Sequence, residues 1–266
     1  MPRSPLLATV DLGSNSFRLQ ICAVEEGQLR IVDSIKEMVR FAAGLDENKN
    51  ISVEAQQRAL KCLSRFGQRL IGFKPEQVRV VATNTFRVAK NIANFLPEAE
   101  EALGFPVEII AGREEARLIY LGVSHTNAST EKRLVIDIGG GSTEFIIGKG
   151  FEPLLTESLQ MGCVAFHKLY FPDGQITEKA FEKAIAAARK EVLAISRLYQ
   201  KTGWNSVTGS SGTIKAVNQI LVQLGLADSD ERITFEGVKQ LQKLLIKAKH
   251  VDNIDFADVK ETRKAV

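Results

Sequence analysis

The sequence lacks the features that mark secreted, membrane-spanning and zinc-scaffold proteins. The chain has an odd number of cysteines, Cys22, Cys62 and Cys163. They are far apart and form no C-x-x-C pair, which argues against a disulfide framework and a zinc site. No apolar run approaches the roughly 18 residues of a membrane span, and the first apolar run is too short for a signal peptide. We therefore expect a cytoplasmic, unprocessed chain without a membrane span.

The sequence also has few histidines and a small net charge. His125, His167 and His250 lie in different segments without ligand spacing, so they predict no metal site. The formal net charge of +3, from 35 Lys and Arg against 32 Asp and Glu, is small for 266 residues and argues against a nucleic-acid partner. The apolar content of 44% is that of a globular protein with room for two domains.

The first half of the chain predicts an α/β domain. Three short β-forming segments separated by turns indicate a meander, and Ser52 is a plausible N-cap for the helix that follows. Alternating strands and helices then indicate parallel strands with helical crossovers. The predicted elements are strands at 6–10, 17–24 and 28–35, a helix at 53–71, a strand at 78–82, helical segments at 85–103 interrupted at Pro97, a strand at 107–110 and a helix at 113–123.

The second half repeats the beginning of the first. Setting Asp11 on Asp137 places Gly13 on Gly139 and Arg18 on Glu144 without a gap. The segment 124–132 has no apolar periodicity, so we predict two domains, 1–128 and 129–266, of one duplicated α/β fold with a cleft between them. The second-half elements are strands at 134–138, 145–147 and 154–159, a helix at 177–201 ending at Gly203, a strand at 207–211 and helices at 214–224 and 234–250.

Two turns rich in glycine and hydroxyl residues follow the first strand of each half. Small residues let several backbone N–H groups point into one space, and the hydroxyl and amide side chains add donors, as a phosphate site requires. Such a turn could also be a tight hairpin whose glycines only permit positive φ. Because the turn is duplicated, we favour phosphate binding. The candidate residues are Gly13, Ser14, Asn15, Ser16, Gly139, Gly140, Gly141, Ser142 and Thr143.

Acidic residues accompany both turns. Asp11 and Asp137 end matching strands, and Glu144 follows the second turn. Carboxylates beside phosphate suggest a divalent cation, so we expect Mg²⁺ on these three residues, and a monovalent cation could accompany it. The alternative is that each aspartate caps its own turn by accepting from nearby N–H groups. Neither a G-x-G-x-x-G fingerprint nor a G-x-x-x-x-G-K-[ST] loop is present.

Six segments, in this order along the chain, resemble the exopolyphosphatase and guanosine pentaphosphate phosphohydrolase (Ppx/GppA) family: DLGSNSFRL, ATNTFRVA, GREEARLIYLGV, VIDIGGGSTEF, MGCVAFHKLYFP and GSSGTIKAV. The resemblance covers essentially the whole chain. It implies two ribonuclease H-like domains of the actin, sugar-kinase and Hsp70 superfamily that close over phosphates. Since family members continue beyond this point, the natural chain is expected to extend past Val266.

The resemblance also implies a reaction and its residues. It implies hydrolysis of a terminal phosphoanhydride of inorganic polyphosphate, or alternatively of guanosine pentaphosphate (pppGpp), with Glu115 as the base that activates water. Glu114 is set aside, because neighbouring helical residues point about 100° apart. Without the family, an ion pair with Arg113 or Arg117 would be the default role of Glu115. Family arginines correspond to Arg87 and Arg263.

Other anion-binding candidates come from position in the chain. Arg18 follows the first turn closely, and Gly212 and Lys215 lie where the GSSGT turn enters a helix. Each could equally be an ordinary surface residue. A noncatalytic phosphate sensor and an ATP-driven kinase remain alternative functions, and a homodimer is considered as an assembly.

Overall fold

The structure, a computed structural model, describes residues 5–254. Contacts divide the chain into two units, Met1–Gly112 and Arg113–Val266. This division falls earlier than the boundary predicted at 128–129. The reason is helix α4 (Gly112–Thr126), which we expected to close the first domain. Its Ala116 and Tyr120 are buried against Val135 and Ile146 of the second unit.

The first unit contains a five-stranded mixed sheet in the order β3-β2-β1-β4-β5. The first three strands form the predicted antiparallel meander, and β4 and β5 run parallel to β1. The α/β class and the meander are therefore confirmed. The elements before α4 are β1 (Leu6–Leu12), β2 (Phe17–Glu25), β3 (Gln28–Glu37), α1 (Val53–Arg69), β4 (Val78–Ala82), α2 (Asn84–Val88), α3 (Ile92–Leu103) and β5 (Glu108–Ile109).

Aromatic packing holds the sheet and helices of the first unit together. Phe17 on β2, Phe86 on α2, Phe95 on α3 and Phe41 are all buried, and their rings lie 5.0–6.2 Å apart at tilted or edge-on angles. Helix α2 is thus anchored directly over the end of β2. Helix α1 begins as predicted, with the Ser52 hydroxyl accepting from the Ala55 N–H.

The break predicted at Pro97 is wrong, because Pro97 lies inside the continuous helix α3. The helical segment is interrupted instead at 89–91, between α2 and α3. The Asn91 side chain accepts from the Ile51 N–H and donates to the Ile51 carbonyl, at 2.8 and 2.9 Å. This pair of long-range hydrogen bonds fixes Asn91 outside helical geometry, which no local pattern in the sequence reveals.

The second unit repeats the topology with a four-stranded sheet in the order β8-β7-β6-β9. The duplication is confirmed by register, since Asp11 pairs with Arg18 across β1 and β2, and Asp137 pairs with Glu144 across β6 and β7. One helix, α5, was not predicted. The elements after α4 are β6 (Lys132–Ile138), β7 (Thr143–Lys149), β8 (Glu152–Leu159), α5 (Cys163–Tyr170), α6 (Glu178–Thr202), β9 (Ser206–Ser210), α7 (Ser211–Gln223) and α8 (Phe235–Ala248).

Close packing of α4 on β7 gives a test of this arrangement. A Cβ added to Gly148 would overlap the ring of Tyr120. We expect Gly148→Ala to lower the free energy of unfolding by about 1–3 kcal/mol, as overpacked cores do. Gly122→Ala on α4 meets open space and should instead gain about 0.5–1 kcal/mol. Urea titration checks both, and a Gly148→Ala variant as stable as the wild type would contradict this packing.

Candidate functional site

The first turn, between β1 and β2, is held by its backbone. A Cβ on Gly13 would lie 2.9 Å from the Ser16 carbonyl oxygen, so the turn needs glycine there. The carbonyls of Ser14 and Asn15 accept from the N–H groups of Ala42 and Arg40, at 2.8 and 2.7 Å. These hydrogen bonds fix the turn from one side.

Helix α2 supports the same turn through a buried side-chain contact. The Thr85 hydroxyl donates to the buried Ser14 hydroxyl at 2.8 Å, which leaves the Ser14 proton able to donate elsewhere. Arg87, on the same helix, is half-buried and its Nη1 donates to the Ile110 carbonyl at 2.9 Å. The structure thus brings the ATNTFR segment and the first turn together. Asp11 and Arg18 lie opposite each other on β1 and β2, both exposed.

The second turn, between β6 and β7, repeats the geometry. The Gly139 N–H donates to the Ser142 carbonyl at 2.9 Å, and a Cβ on Gly139 would lie 3.1 Å from that oxygen. The carbonyls of Gly139 and Gly140 accept from N–H groups at the start of α5. A backbone framework of this kind allows the remaining N–H groups of the turn to face a ligand.

The hydroxyls of the second turn have acceptors within the protein. The buried Thr143 hydroxyl donates to the Met161 carbonyl, and the buried Ser142 hydroxyl hydrogen-bonds to Glu144. The phosphate contacts predicted for Ser142 and Thr143 stay predictions. The sequence shows hydroxyl residues in the turn, but it does not show these internal acceptors.

Glu144 is a buried carboxylate, with only 1% of its surface exposed. The Ser158 hydroxyl of β8 donates to its Oε1 at 2.8 Å. Burial, followed by the nearby charges of Glu115 and Asp137, raises the Glu144 pKa to about 7, against the lowering effect of the serine hydrogen bonds. This group therefore titrates near neutral pH.

Asp137 lies directly opposite Glu144 in the strand register. Burial raises its pKa, and the nearby hydroxyls of Ser210 and Ser211 oppose that rise. Within residues 5–254 neither carboxylate forms a salt bridge. A buried Glu144 and a half-buried Asp137 side by side favour a cation beside them.

The predicted three-carboxylate metal group is not found in the described part of the chain, where no three His, Cys, Asp or Glu side chains are grouped to hold an ion. Asp11 belongs to the first unit and Asp137 with Glu144 to the second. The predicted metal role of the three carboxylates therefore stays a prediction, and within the second unit only Asp137 and Glu144 belong to it. Two carboxylates fit Mg²⁺, which commonly takes one or two from protein and completes its shell with water and substrate oxygens.

Helix α4 carries the candidate base, Glu115. The charge of Glu115 is the second largest cause of the raised Glu144 pKa, so the two carboxylates interact electrostatically. Glu114 faces elsewhere, since both of its oxygens accept from Arg117, at 2.7 and 2.8 Å. The two neighbouring glutamates thus have different surroundings, as the helical geometry predicts.

The GSSGT segment joins β9 to α7 beside Asp137. Ser211 has a φ of 73°, which is unusual for a non-glycine residue, and its hydroxyl donates to the Ile138 carbonyl at 2.7 Å. Gly212 lies in the first turn of α7, whereas Lys215 is exposed. Arg263 lies outside the described residues, so its predicted role remains a prediction.

Sequence reasoning missed several polar residues that contact the candidate residues, namely Thr85, Ser158, Ser210 and Ser211. Thr85 was visible only as part of the ATNTFRVA motif. Ser158 could have been found by extending the meander register, because it pairs directly with Glu144 across β7 and β8.

A family model described as the Ppx/GppA phosphatase family matches residues 20–266. The chain belongs to this family. A relative from Vibrio vulnificus, named guanosine-5'-triphosphate,3'-diphosphate pyrophosphatase, is 44% identical over 253 residues. The match covers 95% of this chain and 50% of the relative, so this Ppx/GppA chain spans about half the length of the curated relatives it matches.

Solved structures agree on the fold. The Aquifex aeolicus PPX-GPPA enzyme has a TM-score of 0.76 and 26% identity, with 98% of this chain and 88% of that chain covered. An exopolyphosphatase from Cytophaga hutchinsonii has a TM-score of 0.83, with 98% and 86% covered, but only 23% identity. Both carry the fold of the Ppx/GppA family. In the described part of this chain, no helix is long and apolar enough to cross a membrane.

The raised pKa of Glu144 predicts a pH-dependent stability. The folded state binds the Glu144 proton more tightly than the unfolded state does. The free energy of unfolding therefore falls as the pH rises from about 4.5 to about 7, and the full loss is present above pH 7. In EDTA, Glu144→Gln should unfold with a free energy higher than the wild type at pH 8, by on the order of 3 kcal/mol. The difference should vanish toward pH 4, as measured by urea titration. Equal stability at both pH values would contradict the assignment.

Proposed function

We propose that this chain belongs to a hydrolase that removes the terminal phosphate of guanosine 5'-triphosphate 3'-diphosphate by water attack. One observation carries the proposal: relatives named for that substrate are 44% identical over 95% of the chain. The buried carboxylates beside the second glycine turn supply a matching chemistry. Orthophosphate and the corresponding 5'-diphosphate are the products.

Glu115 is proposed as the general base. It is half-buried on α4, and its charge is among the causes of the raised pKa of Glu144. Phosphoryl transfer depends mainly on positioning and on neutralising the phosphate oxygens. The N–H groups of the second turn serve the second purpose, and the role expected of Arg87, which lies in the first unit, stays a prediction.

Asp137 and Glu144 are proposed to hold Mg²⁺, which when bound would neutralise charge on the phosphate oxygens. The support is the absence of any cationic side chain in salt-bridge contact with either carboxylate within residues 5–254. Ser158 and Ser142 hold the Glu144 carboxylate in place.

A guanosine nucleotide is preferred over inorganic polyphosphate, which the sequence alone placed first. The relatives named for the nucleotide are 43–44% identical, whereas the solved exopolyphosphatase from Cytophaga hutchinsonii is 23% identical and supports only the fold. A noncatalytic sensor would need no general base. The sensor hypothesis therefore does not explain why the charges of Glu115 and Glu144 interact.

The proposal predicts magnesium-dependent release of orthophosphate from guanosine 5'-triphosphate 3'-diphosphate, faster than from polyphosphate. Glu115→Gln should lower kcat by roughly 10²–10⁴-fold, the usual contribution of a general base. Glu114→Gln, which changes the neighbouring residue facing Arg117, is the matched control and should keep most of the activity. A colorimetric phosphate assay measures all three proteins.

Three outcomes would count against the proposal. Faster turnover of polyphosphate than of the guanosine nucleotide would contradict the proposed substrate. Tight nucleotide binding without phosphate release would favour a noncatalytic sensor. Equal kcat for Glu115→Gln and Glu114→Gln would remove Glu115 from the reaction.

Magnesium binding can be measured without turnover. Adding MgCl₂ at pH 8 should raise the unfolding temperature of the wild type, because an ion that binds only the folded state stabilises it. Asp137→Asn and Glu144→Gln should each reduce that rise. If both variants respond to MgCl₂ like the wild type in a thermal-shift titration, the two carboxylates do not hold the ion.

A further inference from the structure

The start of α5 contacts the second glycine turn more closely than a neighbouring helix normally would. The N–H of Cys163 donates to the Gly139 carbonyl at 2.9 Å, and those of Val164 and Ala165 donate to the Gly140 carbonyl at 2.9 and 3.1 Å. We call these three hydrogen bonds the backbone clasp. Gly162 permits the approach, since a Cβ there would lie 2.5 Å from the Gly140 carbonyl carbon.

The clasp determines where the turn's own N–H groups point. In a planar trans peptide the C=O and N–H point in opposite directions, and no described peptide is cis. Because the carbonyls of Gly139 and Gly140 point at α5, the N–H groups of Gly140 and Gly141 point away from it. Within residues 5–254 neither of these N–H groups donates to a protein acceptor.

The first unit has a related contact, shifted by one residue along the turn. After β3 the chain returns to the first turn, where Ala42 and Arg40 donate to the carbonyls of Ser14 and Asn15. In both units the segment after the third meander strand therefore binds the carbonyls of the turn between the first two strands. Only Ser14 and Gly140 are aligned positions among these carbonyls, so the two halves share backbone support of the turn but not the same set of hydrogen bonds.

We infer that the backbone clasp, with Gly162 and Cys163 as positioning residues, orients the Gly140 and Gly141 N–H groups to bind a phosphoryl group of the substrate. The inference rests on the proposed function. The clasp also polarises the same peptides, because an amide whose carbonyl accepts a hydrogen bond donates more strongly through its N–H.

Proline at position 163 tests the clasp at a single hydrogen bond. Cys163 is the first residue of α5, where proline is tolerated, and Gly162 is extended (φ −139°, ψ 159°), as a residue before proline prefers. Cys163→Pro removes the donating N–H and places the ring Cδ against the Gly139 carbonyl, so it breaks this contact, whereas Cys163→Ala removes only the thiol and serves as the reference. Equal urea unfolding of the two variants shows that the fold is intact.

We expect KM for the nucleotide to be roughly 10-fold or more higher in Cys163→Pro than in Cys163→Ala, the effect of disturbing a hydrogen bond to a charged group. The change in kcat should be much smaller, since binding is lost rather than chemistry. An equal KM in the two folded variants would overturn the inference.

A second measurement uses only the wild type, so it holds even if the proline variant fails to fold. Titration with orthophosphate should shift the amide NMR signals of Gly140 and Gly141. If the wild type hydrolyses the nucleotide but these signals do not move, the clasp inference is wrong and the proposed function stands. If it neither hydrolyses the nucleotide nor binds orthophosphate, both are wrong.

Discussion

The pairing of β6 with β7 places Glu144 directly opposite Asp137, and the candidate site in the second unit depends on this register. A shift of one residue would turn every side chain of β7 to the other face of the sheet. Two features hold the register. The Gly139 N–H closes the turn on the Ser142 carbonyl, and Ile146 is buried with Val135 beneath α4. Packing of these apolar side chains therefore also fixes the positions of Asp137 and Glu144.

Burial gives this carboxylate pair its chemical character. Water would stabilise both charges, but at this position it is largely excluded, so the pKa values of Asp137 and Glu144 both rise. Serine hydroxyls from β8 and from the GSSGT segment supply the hydrogen bonds that make burial tolerable. The cost of burying like charges together is difficult to explain by folding alone, and a bound cation or a proton transfer would account for it.

The sequence predicted the meanders, the duplication and the fold class, because these follow from apolar periodicity and turn chemistry that are local in the chain. Its predictions were wrong where a contact between residues far apart in the sequence determines the structure. Asn91 interrupts a helix through hydrogen bonds to Ile51, and α4 joins the second unit through packing of Tyr120. Helix α5 was missed because its N-cap residue, Gly162, has no side chain that marks a helix start, and because the helix is only eight residues long.

The candidate site was predictable in its residue types and less so in their roles. Glycines that follow a strand indicate a turn, but the partner of each hydroxyl depends on chain segments far away. Thr143 donates to Met161, whereas Ser14 keeps its proton because Thr85 donates to it. Two similar turns can therefore differ in which groups they offer to an anion.

The duplicated units differ most informatively at one aligned position. In the first unit Asp11 faces Arg18, an opposite-charge pair across two strands, which is the stabilising arrangement. In the second unit the equivalent pair is Asp137 and Glu144, two like charges, and Glu144 is buried whereas Arg18 is exposed. Like charges directly opposite each other destabilise a strand pair, so the glutamate does not stabilise this hairpin through its cross-strand partner. Its presence in a buried site beside Glu115 is therefore better explained by the chemistry of the second unit than by its architecture.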